Sequence, residues 1–315
     1  MSGGGLLVVG EVVTDVVVRH ASAPLHGTDT PARITTLPGG AGANVACWAA
    51  RSGCGDVRLL ARAGADSAAW HQDALRRAGV RPLLCVDEDA PTGTVVALVD
   101  SSSERTFLTD SGAVLRLPPG AWSPSLLDGA ARLHVSGYLL FGPTSRATAA
   151  LALRDARRRG VPVSVDPASA GFLAGLGAAV FLDLVEGIDL LLPNADEARE
   201  LTGLPDPQDA AAELSRHVGR VAVTLGGRGV LLAAGGRVTA RVPAGPVPAP
   251  VDSTGAGDAF TGGFLAAFIA GADEVTAAAA GCRAGAEAVT TVGGRPGGRR
   301  SGGRRAVRPG PGGRF

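Results

Sequence analysis

The 315-residue chain predicts an α/β protein with a mostly parallel central sheet, helices on both of its faces and a small β sheet standing off it. Three observations carry that expectation. Short apolar, β-rich runs alternate with segments of helical composition, the pattern of strands joined by crossover helices. One stretch breaks the alternation with two strand-like runs in succession. Several glycine-rich loops run directly into helical segments.

Taken in order, buried-strand candidates lie at residues 6–9, 57–61, 133–136, 161–165, 188–192 and 221–224. Helical segments lie among them at 43–51, 67–78, 145–159, 195–202 and 209–217, several closed by glycine. Residues 92–100 and 104–109 are joined by a short serine-rich turn and read as a hairpin. With residues 13–18 and 83–86 they would form the small sheet, a lid drawn from about 13–18 and 83–109. Period-two alternation sets Arg105, Phe107 and Thr109 on one face of the second run, against Glu104, Thr106 and Leu108. Phe107 and Arg105 then either face a cleft or serve as packing and solvated edge of the sheet.

At 45% hydrophobic and 19% charged the chain can bury a large core, and no run approaches the roughly 18 apolar residues of a membrane span. The start, MSGGGLLVVGEVVTD, lacks a cationic segment and a long apolar one, which argues against a secretory signal and for the cytoplasm. All 30 basic residues are arginine. A phosphate loop of the usual kind and Schiff-base chemistry both need a lysine amine and are excluded. Cys47, Cys54, Cys85 and Cys282 form no CxxC pair and read as free thiols. Residues 293–315 hold seven Arg, nine Gly and three Pro with no acid, leaving 23 Arg against 29 acids in 1–292. The expected organisation is one domain over 1–292 and a disordered basic tail from 293, too poor in apolar side chains to order itself.

Four local elements carry chemistry. In the run DSTGAGD at 252–258, Gly255 and Gly257 let the backbone approach a ligand closely. The first amides of the following helix have no internal partner and stand at its positive end, so Gly255, Ala256 and Gly257 form an anion hole. Asp258 stands beside those donors, a carboxylate placed where a transferring group and an attacking hydroxyl could meet; an acid that merely favours the helix dipole is the plain alternative. The run PGGAGAN at 38–44 also enters a helix, with Asn44 in its first turn offering donor and acceptor to hydroxyls or to capping. Asp15 is the nearest carboxylate in sequence. In LLPNADE at 191–197 Asn194 and Glu197 have the spacing of a capping box. Finally VTLGGRGV at 223–230 is a strand, a tight glycine turn and another strand.

In this order the four elements resemble the ribokinase-like carbohydrate kinases, the phosphofructokinase-B family, from Leu6 to about Val292. Residues 252–258 are similar to that family's C-terminal signature, 39–44 to its sugar-binding loop and 194–197 to its Asn-x-x-Glu motif. Asn44 and Asn194, the two asparagines of the chain, both fall in these motifs. The resemblance implies a three-layer α/β sandwich with a β lid, ATP as phosphoryl donor, Mg²⁺, a place for a monovalent cation such as K⁺, and a homodimer formed through the lid. It implies Asp258 as base and the Gly255, Ala256 and Gly257 amides as anion hole. Asp15, Gly39, Gly40 and Asn44 would hold the acceptor, with Arg105 and Phe107 above it. Asn194 and Glu197 would organise phosphate and metal water, and Thr224, Gly226 and Gly229 would border the nucleotide. The chain departs from ribokinases at Ala41, where they carry lysine, at Gly137, where they carry a sugar-contacting glutamate, and at Cys282, where many members have asparagine.

The expected activity is phosphorylation of a hydroxyl on a small sugar or sugar acid, because loop 39–44 has no cation to meet a substrate phosphate. A nucleoside acceptor, its base stacked on Phe107, is the alternative within the same class. The alternative from another class is a non-catalytic binding protein whose arginine-glycine tail engages RNA, the one part of the chain suited to nucleic acid. A dinucleotide dehydrogenase is disfavoured, since the first strand is followed by a single glycine, Gly10, instead of GxGxxG.

Overall fold

The computed structural model describes residues 4–24, 26–100, 105–247 and 250–297. In chain order the strands are β1 (Gly5–Val9), β2 (Val13–His20), β3 (Ala32–Gly39), β4 (Val57–Gly64), β5 (Val80–Asp87), β6 (Gly93–Val99), β7 (Arg105–Asp110), β8 (Ala130–Ser136), β9 (Val163–Asp166), β10 (Leu190–Leu191), β11 (Val221–Thr224), β12 (Val230–Ala234) and β13 (Arg237–Val242). The helices are α1 (Ala41–Arg51), α2 (Ala68–Arg77), α3 (Pro143–Arg159), α4 (Ala170–Leu176), α5 (Ala178–Val185), α6 (Ala195–Thr202), α7 (Pro207–Leu214), α8 (Ala256–Ile269) and α9 (Glu274–Ala288).

The central sheet runs β13-β12-β11-β10-β9-β8-β1-β4-β5. Pairing is parallel from β5 to β11, and antiparallel where β12 and β13 extend the edge. β1 is buried along its whole length, with Leu7 and Val9 in one core and Leu6 and Val8 in the other. Adjacent residues of a strand point to opposite faces, so one apolar pentapeptide supplies both cores and both helix layers find an apolar floor. α3, α6 and α7 pack on the first face, α1, α8 and α9 on the second.

The second sheet, β3-β2-β6-β7, is the lid. Two expectations about it are corrected. Residues 83–86 belong to β5, parallel to β4 at the edge of the central sheet, because Leu83 and Leu84 pack against its cores. The fourth lid strand is instead β3, antiparallel to β2 from Ala32 to Gly39. Five consecutive exposed residues on β3 erase the polar-apolar alternation that would have betrayed it.

The expected boundary at residue 293 also moves. Gly293 and Gly294 are buried: the Gly293 amide donates to Asp252 Oδ2 at 3.0 Å, and Gly294 O accepts from Trp48 Nε1 at 2.9 Å. The ordered chain therefore runs to at least Gly297, and the remainder of the expected tail, 298–315, lies outside the described residues. Among the described residues no helix is long and apolar enough to cross a membrane.

Candidate active site

Carboxylates gather beyond the C-terminal ends of the parallel strands, where an open α/β sheet forms its crevice. Glu11 follows β1, Asp166 ends β9, Asn194 caps α6 after β10, and Glu197 lies in the first turn of α6. From the other layer α8 begins at Ala256 and sets Asp258 in its first turn, with Gly255 as N-cap at φ 71°. The tight approach there explains the glycine: a Cβ on Gly255 would lie 2.4 Å from Gly294 Cα.

Asp258 is held by the loop expected to bind the acceptor. Asn44 Nδ2 donates to Asp258 Oδ2 at 2.8 Å, while Asn44 Oδ1 is buried without a partner. One half of the amide thus fixes the acid, and the other keeps an unused acceptor. Burial pushes the Asp258 carboxyl well above its ordinary range; the Asn44 bond opposes the shift and Asp166, Glu11 and Asp15 add to it. Gly40, at φ 98°, brings this loop against β1, since a Cβ there would meet Glu11 O at 2.5 Å. Glu11 Oε1 accepts the Gly42 amide at 3.1 Å, its Oε2 is buried and unpartnered, and burial raises its pKa.

A cavity of about 520 Å³ opens between these residues and the lid, within the range of small-ligand sites. Its polar end is formed by Glu11, Asp15, Asn44 and Asp258 with Gly40, and its lid side is apolar, from Val17, Val95 and Phe107. Asp15 packs directly over Gly39, whose Cβ would fall 2.1 Å from Asp15 Oδ2, and burial lifts its carboxyl to about 6. Phe107 and Thr109 face this cavity together, as strand alternation requires. Arg105 opens β7, but its side chain lies outside the described residues. Tyr138 and Phe172 line the opposite wall in edge contact, 5.7 Å between ring centroids.

A second cavity, about 240 Å³, lies on the far side of the α8 N-terminus. Thr224, Gly226 and Gly229 border it, together with Gly257 and Cys282. A Cβ built at Gly226, Gly227 or Gly257 meets no protein atom within 4 Å, so these glycines leave room for a ligand and not for neighbouring side chains. Of the three expected anion donors, Ala256 is turned back on Ser253 O at 3.2 Å; among the described hydrogen bonds Gly255 and Gly257 remain uncommitted.

A small space of about 130 Å³ shares Asp258 with the first cavity and Thr224 and Gly257 with the second, and is lined also by Asp166, Asn194 and Glu197. Asn194 and Glu197 form the capping box: Asn194 Oδ1 accepts the Asp196 and Glu197 amides at 2.9 Å, and Glu197 Oε2 accepts the Asn194 amide at 2.9 Å. Capping and site are here one arrangement, since Glu197 is buried and its carboxyl is pushed to about 8, first by burial and then by Asp166. Asp166 is itself lifted to about 6 by burial and by the charge of Glu11. Among the described residues no cluster of three or more His, Cys, Asp or Glu is placed to hold a metal directly. A carboxylate pair with no cationic side chain beside it among the described residues suits a hydrated divalent ion held through water.

Glu11, Asp166, Tyr138, Phe172 and the 293–295 segment were not foreseen. Lone acids after strands carry no local motif; the signal that finds Glu11 and Asp166 is their position at the C-terminal ends of parallel strands. Gly137, where ribokinases carry a glutamate, is held to glycine by contact: its Cβ would meet Asp166 O at 2.5 Å.

The mostly parallel nine-stranded sheet with its four-stranded β lid is the ribokinase-like α/β fold, and a carboxylate at a helix N-terminus stands in it between a polar cavity and a glycine-walled one. The chain belongs to the pfkB family of carbohydrate kinases, which it matches over residues 5–298. It is 34% identical to a fructokinase of Klebsiella pneumoniae over 284 residues, 85% of each chain. Its fold is shared with adenosine kinase of Sinorhizobium meliloti at TM-score 0.84 and 23% identity, over 93% of this chain and 96% of that one. It is shared also with an E. coli protein assigned as a ribokinase II and solved with ATP and Mg²⁺, at TM-score 0.80 and 23% identity, over 92% and 94%.

Proposed function

We propose that this chain transfers the γ-phosphoryl group of ATP to a hydroxyl of a small neutral sugar, with Asp258 as the base. The observation that carries the reading is the position of Asp258, which lines the acceptor cavity and the carboxylate space while its neighbour Gly257 lines the glycine-walled cavity. An acceptor hydroxyl in the large cavity then meets Asp258 on one side and a phosphate on the helix N-terminus on the other. Asp258 takes the hydroxyl proton as the oxygen attacks phosphorus and ADP leaves; its raised pKa makes it a better acceptor for that proton than an ordinary aspartate. The Gly255 and Gly257 amides and the helix dipole stabilise the charge on the transferring oxygens. Mg²⁺, held through water by Asp166 and Glu197, would neutralise charge on the phosphates. Asp15 and Asn44 Oδ1 are the partners for the acceptor's hydroxyls. Glu11, Asp15 and Asp258 make the polar end of the cavity acidic, which favours a neutral acceptor over a sugar acid.

A nucleoside is the second reading, favoured by Phe107, Tyr138 and Phe172 around the same cavity. ADP release with a panel of hexoses, pentoses, ketodeoxy acids and nucleosides separates the two. A stacked base should lose about 1–3 kcal/mol on Phe107→Ala, whereas a sugar should tolerate the change. For the chemistry, Asp258→Asn should lower kcat by on the order of 10² or more and leave nucleotide affinity within about threefold, since the side chain lines the acceptor side. Near wild-type turnover in that variant would remove Asp258 from the role.

A further inference from the structure

Residues 293–295 cross between the two glycine loops of the site. The Gly293 amide is bound by Asp252, and Gly294 fills the space between Gly255 and Asn44, where a Cβ would stand 2.3 Å from Asn44 Nδ2. Arg295 Nη2 then donates to Gly39 O at 3.0 Å, while its Nε and Nη1 are buried without partners. A guanidinium enclosed in this way needs a counter-charge nearby.

The ionisable groups within its field are few. Cys47 of α1 is buried and its thiol pushed up, so it stays neutral. His71 of α2 meets Thr14 Oγ1 at 3.3 Å, and burial together with Arg295 drives it down to about 4, so it is neutral too. Asp15 of β2 remains, and it packs over Gly39, the residue whose carbonyl Arg295 holds. Two further acids bear on Asp15: Asp252, from the loop before α8, raises its pKa, and Asp258, from α8, feels its charge.

We propose that Arg295 is a positioning residue for the acceptor end of the site: it fixes the glycine loop through Gly39 O and keeps Asp15 a charged acceptor for the substrate's hydroxyls. The inference rests on the reading of Asp15 as the hydroxyl partner of the acceptor. Its physical content is a narrow margin. Burial has already lifted Asp15 to about 6, and Arg295 is the charge that opposes burial. Without it the carboxyl should titrate close to neutral pH, turning an acceptor of two hydroxyl protons into a poorer one over part of the working range.

The test is kcat/KM for the best acceptor between pH 5 and 9, nucleotide affinity over the same range, and a carboxyl ¹³C NMR titration of Asp15, for wild type, Arg295→Gln, Arg295→Lys and Asp15→Asn. Arg295→Gln should move the acid limb and the Asp15 titration upward by about 1 pH unit. Below the limb kcat/KM falls about tenfold as a result, with nucleotide affinity unchanged. Arg295→Lys, which keeps the charge, should restore the wild-type limb. An unmoved limb in Arg295→Gln, or a lysine variant that follows the glutamine one, overturns the proposal. If Arg295→Gln does not fold, Arg295→Lys decides alone: a wild-type limb supports the assignment and an upward shift overturns it. Asp15→Asn separates the two readings, because equal losses for acceptor and nucleotide there would sink the role of Asp15 itself. Selective loss of acceptor in Asp15→Asn with no shift in Arg295→Gln would sink only the role of Arg295.

Discussion

Glu197 shows how one side chain can close a helix cap and carry an electrostatic cost for it. Its Oε2 closes the capping box at the start of α6, which stabilises the helix end. Its burial beside Asp166 penalises the same carboxylate once ionised, raising it from an ordinary 4.5 to about 8. A folded-state pKa above the unfolded one means that the folded chain binds the proton more tightly. The stabilisation is complete below about 4.5 and is lost as pH rises through about 8. Glu197→Gln keeps a side-chain oxygen for the cap and removes the charge. The melting temperature of this variant relative to wild type should therefore increase from pH 5 to about pH 8 and level off above it when no divalent ion is added. A difference that stays flat with pH would show that the carboxylate carries no burial penalty. The cap at Asn194 and Glu197 was legible from spacing alone, but the neighbouring acid was not, because Asp166 lies far away in sequence and is brought alongside only by the pairing of β9 with β10.

At the scale of elements, the site depends on how closely α8 can approach α1, since that approach delivers Asp258 to Asn44. Small residues make it possible. A Cβ on Gly262 would lie 2.7 Å from both Trp48 Cβ and Val45 O on α1, and one on Gly263 would lie 2.8 Å from Ala284 Cβ on α9. The glycine loops preceding α1 and α8 were visible in the sequence, because close approach and positive φ both demand glycine. β3 was invisible for the reason given by its exposure. Residues 83–86 were misassigned because an apolar run followed by a hairpin looks the same in either sheet until β4 supplies its partner. Gly262→Ala should force α8 away from α1 and cost about 1–3 kcal/mol of stability as an overpacked contact. Urea unfolding measures the cost, and kcat should fall with it, since the Asn44 to Asp258 bond crosses the same interface. An unchanged unfolding midpoint would mean that the helices have slack to give.

Across the whole molecule, the end of the described chain is what composition described least well. A run of glycine, arginine and proline offers almost no apolar area, and that argument alone places the boundary at 293. It overlooks that glycine is the residue a crowded cleft can admit. Gly293 and Gly294 enter where Asn44, Gly255 and Leu37 leave no space for a Cβ, and their backbone makes the hydrogen bonds that apolar contacts would make elsewhere. Two truncations separate these views. Removing 298–315 takes away six arginines and little apolar surface. It should leave stability within about 0.5 kcal/mol, the usual range for changes away from packed features. Removing 293–315 takes the acceptor from buried Trp48 Nε1, an amide from Asp252 and the cation from beside Asp15. Each buried polar group left unpaired costs about 1–3 kcal/mol. In a chain of this size 1 kcal/mol corresponds to roughly 2–4 °C. The longer deletion should therefore melt several degrees lower and lose acceptor use before nucleotide binding, because its contacts lie on the acceptor side of α8. Thermal melts and paired titrations of the two truncations check this, and equal behaviour of the two would show that 293–297 contributes nothing to either cavity.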